Sequence, residues 1–314
     1  MRAALADSTR TTYGTGQHRY LEFAAEYGFI PFPVREDNLI FWVTSMGDEG
    51  LRHSSIRGYL SAVRKMQLEL GGCDSIGTFE HLKRALMGLR RFAGAPVRPE
   101  RLPLTATQLR LILPHLHLHV HADALIWCAM CLGVFCLLRP GEISVTAPSK
   151  EFFRATTLRW CDFTINQDGN SLRVQLRKSK TDQFRAGHTF EVGATGDSVC
   201  AVAAFKNFQR VSILTFGGIR GTEPVFTFCD GVVLTYPSFL SLIRALLGAA
   251  GLNPSLYGAH SLRVGGASMI ANIGAREHEI RSAGRWKSDS SKLYTRTVRE
   301  SMVVLAARMV DGQQ

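Results

Sequence analysis

Residues 258–266 read GAHSLRVGG, with His260 and Arg263 three positions apart and Gly265 and Gly266 just beyond them. Side chains three apart on a helix share a face, and an imidazole beside a guanidinium suits an anion. Two glycines in the next turn let another backbone or a phosphate approach closely. Alone, H-x-x-R is a weak signal, but three other stretches carry matching chemistry. LLRPGEI sets Arg139 and Glu142 at the end of a long uncharged run, where charged side chains seldom serve packing alone. KSKTD carries Lys178 and Lys180, and GRWKSDSSKLYTR places Trp286 eight residues before Tyr294. Two arginines, a lysine, a histidine, a tryptophan and a tyrosine, with one supporting carboxylate, form a donor set for a negatively charged group.

Elements that must position these residues follow from hydrophobic spacing. In the first hundred residues the pattern is helical throughout. Ser8 is placed to cap a helix with Tyr13, Tyr20, Phe23 and Tyr27 near one face. Leu39, Ile40, Val43 and Met46 suggest a second helix. Ile56, Tyr59, Leu60, Val63 and Leu70 mark a third, ended by Gly71-Gly72. A fourth, from 78 to 92, buries Phe79, Leu82, Leu86 and Leu89. The third helix carries Ser54, Arg57, Ser61, Arg64 and Lys65 on its opposite face, a stripe that fits either solvent or a phosphate backbone. From Lys83 to Arg101 six basic residues face one acid, Glu100, while Gly94, Pro96 and Pro99 break the helix. The domain boundary is therefore placed near residue 97, giving domains 1–97 and 98–314. Arg90, Arg91 and Arg98 of this basic stretch join the candidate phosphate contacts.

The second domain opens with helices near 105–114 and 122–137. TTLRWCDFTI, the turn QDGN, SLRVQLRKSK and HTFEVG then alternate apolar with polar residues and predict a three-stranded antiparallel sheet. Helices return near 198–214, 235–250, 260–273, 276–284, 288–296 and 297–310. The fold class is thus mainly α with a small antiparallel β-sheet, in two domains. GAHSLRVGG falls at a helix start and KSKTD at a strand end.

Composition narrows the partner. The chain has 314 residues, 46% of them hydrophobic, enough for two cored domains. Lys and Arg number 37 against 26 Asp and Glu, a net charge of +11, which points to a polyanion such as nucleic acid. The uncharged run Ala124–Leu138 has 15 residues, short of the about 20 a membrane span needs. No long apolar leader is present, so a soluble, intracellular protein without a membrane partner is expected. Seven cysteines form an odd count without framework spacing, which suggests reduced thiols. Cys128 and Cys131 have metal-like spacing but no second pair, and core packing is the better reading. PHLHLHVHAD, with His115, His117, His119 and His121, is expected as helix or loop rather than as a metal site.

R-x-x-E, a hairpin lysine, H-x-x-R, G-x-W and a tyrosine eight residues after the tryptophan, in this order, resemble the catalytic domain of the tyrosine recombinases, the phage-integrase family. The tryptophan variant is similar to Cre recombinase. HSLRVGGASMIANIGAREHEIRSAGRWKSDSSKLYTR carries the likeness through some forty consecutive residues, and the N-terminal helices resemble the family's core-binding domain. STRTTYGTGQHRYLEF and KSKTDQFRAG look closest to recombinases of eukaryotic Crypton- and DIRS-type mobile elements. In two places the sequence departs from the pattern. SVTAPSKEFFRA, after Arg139, is longer than in compact relatives, and Trp286 stands where many carry a second histidine, so it can donate an indole N–H but cannot transfer a proton.

The resemblance implies a site-specific recombinase or integrase that cleaves and rejoins DNA through a 3′-phosphotyrosine, without metal, ATP or other cofactor. Tyr294 would attack, Arg139 and Arg263 would neutralise the non-bridging oxygens, and His260 and Trp286 would add donors. Lys180 would protonate the leaving 5′ oxygen, with Lys178 as second choice, while Glu142 would orient its neighbours. Implied partners are double-stranded DNA and further copies of the chain, a tetramer on paired sites joined through the C-terminal helix that carries Met302, Val303, Leu305, Ala306 and Met309. A eukaryotic mobile element would place it in the nucleus, and any other source in the cytoplasm or nucleoid. A type IB topoisomerase, or a domesticated DNA-binding protein that no longer cuts, are the alternatives.

Overall fold

Tyr20, Leu39, Trp42, Val43 and Val63 are almost wholly withdrawn from solvent, and four helices form around them: α1 (Asp7–Glu26), α2 (Glu36–Asp48), α3 (His53–Glu69) and α4 (Glu80–Phe92). The computed structural model describes residues 7–92, 101–145, 157–177, 187–219 and 221–286. The chain divides into two units, Met1–Arg98 and Pro99–Gln314. In the first, α1 packs on α3 and α2 on α4. The Tyr20 ring meets Trp42 edge-on at 5.0 Å, and its hydroxyl donates to the Pro31 carbonyl at 3.0 Å. Burying that phenol pushes its pKa up to about 12. Gly71, at φ +80, turns the chain out of α3.

Three details differ from the sequence reading. α1 begins at Asp7, so Ser8 lies in its first turn rather than before it. Leu70 follows α3 and is exposed. Phe79 precedes α4, and with Leu86 and Leu89 it is only partly buried, leaving Leu82 as that stripe's core residue.

The second unit is built on the uncharged run. It forms α6 (His121–Phe135), in which every residue from Ala124 to Val134 is buried, because helices cover it on several sides. Preceding it is α5 (Ala106–Ile112), capped by Thr105 and Gln108. After it come α7 (Pro140–Ile143), the sheet β1 (Phe163–Ile165), β2 (Ser171–Leu176) and β3 (His188–Gly193), then α8 (Ala201–Phe216), α9 (Tyr236–Ala249), α10 (Ser261–Asn272) and α11 (Glu277–Gly284). α6 packs against both α8 and α10. Cys128 and Cys131 lie inside this core, and no helix of the described residues is long and apolar enough to cross a membrane.

The sheet is antiparallel in the order β1-β2-β3, with Phe163 opposite Val174 and Val174 opposite Phe190. TTLRWCDFTI contributes only its last three residues as strand. Trp160–Asp162 is a 3₁₀ turn because the buried Asp162 carboxylate caps it, accepting from the Arg159 N–H at 2.8 Å and Arg177 Nε at 2.6 Å. The four histidines of PHLHLHVHAD do not form one cluster, although the His117 and His119 rings lie 5.9 Å apart. His115, His117 and His119 are exposed, whereas His121 is buried with Nε2 at 3.2 Å from Ser212 Oγ. Among the described residues no group of three or more His, Cys, Asp or Glu could hold a metal ion.

Gly265 and Gly266 serve the chain's own backbone. A Cβ on Gly265 would run into the Leu104 carbonyl, and one on Gly266 into the Val134 carbonyl of α6. Gly266 therefore lets α10 settle on α6, and Gly265 lets the Leu104 backbone lie against α10, which fixes where Arg263 can reach. Gly266→Ala is expected to destabilise the second unit by about 3 kcal/mol or more, since a backbone carbonyl cannot step aside. Gly88→Ala, in α4 with open space around it, should instead gain about 0.5–1 kcal/mol. Urea denaturation of both variants checks the contrast.

Candidate active site

The site grows from the end of α6. Leu137 leaves that helix at φ +46, a region that costs a branched side chain energy. The sequence RPGE then starts α7, with Arg139 at the N-cap, Pro140 in the first turn and Glu142 at the third position. This local code turns the Glu142 carboxylate back on Arg139. Glu142 Oε2 accepts from the Arg139 backbone N–H at 2.8 Å and Oε1 from Arg139 Nη1 at 2.9 Å. The side chains are 15% and 7% exposed.

Two further guanidinium groups converge here. Arg263 of α10 is fully buried, donates Nη1 to the Leu137 carbonyl and Nη2 to the Gly284 carbonyl, and lies 4.5 Å over the Trp286 ring. Trp286 packs with Leu137, Ala267 and Ile280. Arg285, just after α11, donates Nη2 to Glu142 Oε2 at 3.0 Å and to the Leu137 carbonyl at 3.1 Å, and Nη1 to the Cys136 carbonyl at 3.2 Å. Its guanidinium sits 4.9 Å over the Phe190 ring of β3. Desolvation lowers the Arg285 pKa and the Arg139 charge lowers it further, against the pull of Glu142. Burial pushes the neighbouring Cys136 thiol up to about 12, which keeps it unreactive.

Arg139 and Arg285 thus share the Glu142 carboxylate, and Arg263 meets Arg285 at the Leu137 carbonyl, in a largely dry pocket. Burying charge costs stability unless it is paired or hydrogen-bonded, and here the guanidinium groups are held by the Leu137, Cys136 and Gly284 carbonyls and by Glu142. Among the described residues, the two non-glycine residues at positive φ are Leu137 and Arg285, both at this node. Backbone strain of this kind clusters at functional sites.

No known family model matches the sequence, nor does any curated protein sequence. Solved structures do match. The XerH site-specific recombinase, bound to palindromic difH substrate in a post-cleavage complex, superposes with TM-score 0.64 at 14% identity, covering 95% of this chain and 78% of that one. The Tn1549 transposon integrase in complex with transposon right-end DNA gives TM-score 0.60 at 13% identity, over 98% and 94%. A lambda integrase dimer bound to a COC′ core site gives 0.58 at 18%, over 94% and 91%. The fold is that of the tyrosine recombinases.

Within this tyrosine-recombinase fold, the sequence-predicted residues fall into three groups. Arg139, Glu142, Arg263 and Trp286 come together through the Leu137 carbonyl and Arg285. His260, at the N-cap of α10, is exposed, so it does not share the buried setting of Arg263 although three residues separate them. Lys178, Lys180, Tyr294 and the C-terminal helix with Met302 to Met309 lie outside the described residues, as does most of SVTAPSKEFFRA. The sequence reading missed Arg285, whose only signal was a charge inside G-x-W. It also missed His188 at the start of β3, whose pKa is lowered by burial and the Arg285 charge and raised by Glu142.

In the first unit, Ser54, Arg57, Ser61 and Arg64 are exposed on α3, and Arg90 and Arg91 on α4. They are not equivalent. Arg64 is paired with Asp74, with Nε at 2.6 Å from Oδ1, and Lys65 with Glu69 at 3.0 Å. The Ser61 hydroxyl donates back to the Arg57 carbonyl at 2.9 Å. Arg57 and Arg90 converge instead on His53, whose imidazole pKa is lowered by burial and then by both arginines. Neither arginine pairs with a carboxylate among the described residues. Arg98 lies outside them.

Proposed function

We propose that the protein is a site-specific DNA recombinase that cleaves and rejoins strands through a 3′-phosphotyrosine. The observation that carries this reading is the convergence of Arg139, Arg263 and Arg285 on Glu142 and the Leu137 carbonyl, in a chain of net charge +11 with a tyrosine-recombinase fold. A phosphodiester resists attack because its charge repels nucleophiles, and the trigonal-bipyramidal transition state concentrates charge on its non-bridging oxygens. Arg139 and Arg263 would neutralise that charge, being cations that cannot lose their protons. Arg263 is withdrawn from solvent, where its charge reaches further than in water, and direct contact with the phosphate requires its cover to part. His260 and the Trp286 indole add donors, and Glu142 orients Arg139. Tyr294 is the nucleophile and Lys180 the general acid. The phosphotyrosine conserves the ester, so rejoining needs no ATP.

In this reading the first unit is a core-binding domain and the second the catalytic domain, both engaging duplex DNA. A mobile-element role, of the Crypton or DIRS kind and therefore nuclear, rests on STRTTYGTGQHRYLEF and KSKTDQFRAG. Assembly as a tetramer on paired sites, through the C-terminal helix of Met302, Val303 and Leu305, rests on the family likeness. Incubating the protein with duplex DNA in a chelator and running a denaturing gel tests the chemistry, since a covalent adduct is expected without metal. A scaffold that only binds DNA would give none, and relaxation without dependence on a second site would point to a topoisomerase.

Phosphate contact by the first unit makes affinity salt-dependent. Each phosphate contact contributes about 0.9 to the slope of log affinity against log salt. Arg57→Ala and Arg90→Ala are each expected to flatten that slope by about one, whereas Arg64→Ala, already held by Asp74, should change it less. Fluorescence anisotropy across a salt series reads the result, and loss of affinity at constant slope would remove those arginines from the phosphate backbone.

A further inference from the structure

We infer that Arg285 is a positioning residue for the phosphate-binding arginines, acting through Glu142 and the Leu137 carbonyl; the inference rests on the reading of this site as a DNA-cleaving centre. Its bonds point inward, to the Cys136 carbonyl, the Leu137 carbonyl and Glu142 Oε2, and its side chain is 6% exposed. It therefore does not present its head to an incoming backbone. What it touches are the two groups that hold the other arginines. Glu142 grips Arg139 through both oxygens, and the Leu137 carbonyl accepts from Arg263 as well as from Arg285.

Sharing matters electrostatically. A carboxylate paired with Arg139 alone would cancel much of its charge, whereas one shared by two guanidinium groups leaves each with positive potential for an anion. The stack on Phe190 also ties this pair to β3, so one side chain links the α6 end, the start of α7 and the sheet. The backbone supports a side-chain role. At φ +56 glycine would be the easier residue, so an arginine there adds nothing to the turn itself.

The same conformation supplies a clean test, because Arg285→Gly removes the guanidinium without straining the chain. Duplexes that the wild-type protein captures covalently from a random-sequence pool serve as substrate. Arg285→Gly is expected to keep DNA affinity and to cleave about tenfold more slowly at saturating DNA, a smaller loss than the about 10²-fold or more for a donor that touches the reacting group. Arg285→Lys, which keeps a cation in the pocket but cannot span three acceptors, should fall between. Glu142→Gln alone should slow cleavage, yet add little in the Arg285→Gly background, since the two act as one unit. Wild-type cleavage rates in Arg285→Gly and Arg285→Lys would overturn the inference alone. So would fully multiplicative effects of Arg285→Gly and Glu142→Gln, or lost affinity with an intact rate at saturation. Failure of the wild-type protein to capture any duplex would instead overturn the reading of the site, and this inference with it.

Discussion

Tyr294→Phe is expected to leave duplex binding unchanged and to abolish the covalent protein–DNA adduct. The substitution deletes one oxygen and keeps the ring, so packing and charge are preserved while the nucleophile is gone. A phenol has a pKa of about 10 and is ionised in the transition state only beside cations or a base, the role proposed for Arg139, Arg263 and His260. A mobility shift under native conditions and a denaturing gel of the same sample separate binding from cleavage. Persistence of the adduct in the Phe variant would assign the nucleophile elsewhere.

Lys180→Ala should lose about 10²–10⁴ in cleavage rate on ordinary DNA, the range of a positioned general acid, because an alkoxide departs poorly without a proton. A bridging 5′-sulfur substrate removes that need. Thiols have pKa values near 8.5, so the thiolate leaves unassisted and the variant should recover most of its rate. Arg263→Ala should not recover, since its proposed role is on the non-bridging oxygens, which the sulfur does not alter. Equal defects of Lys180→Ala on both substrates would exclude it as the acid, and rescue of Lys178→Ala instead would move the role two residues upstream.

The elements were legible wherever periodicity and punctuation agreed. α3 ends just before its glycine pair, α6 (His121–Phe135) takes in most of the uncharged run Ala124–Leu138, and the QDGN turn joins two antiparallel strands. Where a buried side chain overrides pattern, the sequence misleads. Asp162 converts half of an apparent strand into a capped turn, and no alternation rule reports that a carboxylate will be buried under Arg177. The Arg139–Glu142 contact was readable because Pro140 and the spacing of Glu142 encode a helix start. Two features were not readable. That Gly265 and Gly266 face Leu104 and Val134, rather than a phosphate, depends on how α10 crosses α6. That Arg285 joins the site depends on a left-handed turn at a residue type that does not announce one. The same tertiary dependence separates Arg57 and Arg90, which converge on His53, from Arg64 and Lys65, which sit in the same basic stripe but are held by carboxylates.

Peptide mapping of the covalent adduct tests the central claim most directly. Wild-type protein is incubated with duplex DNA in a chelator, the adduct is isolated under denaturing conditions and digested with nuclease and trypsin, and the nucleotide-bearing peptide is sequenced by mass spectrometry. The account predicts a nucleotide linked through a 3′-phosphate to Tyr294, in the tryptic peptide LYTR that follows Lys292. A 5′ linkage, a link to any other residue, or no adduct on any duplex would contradict it.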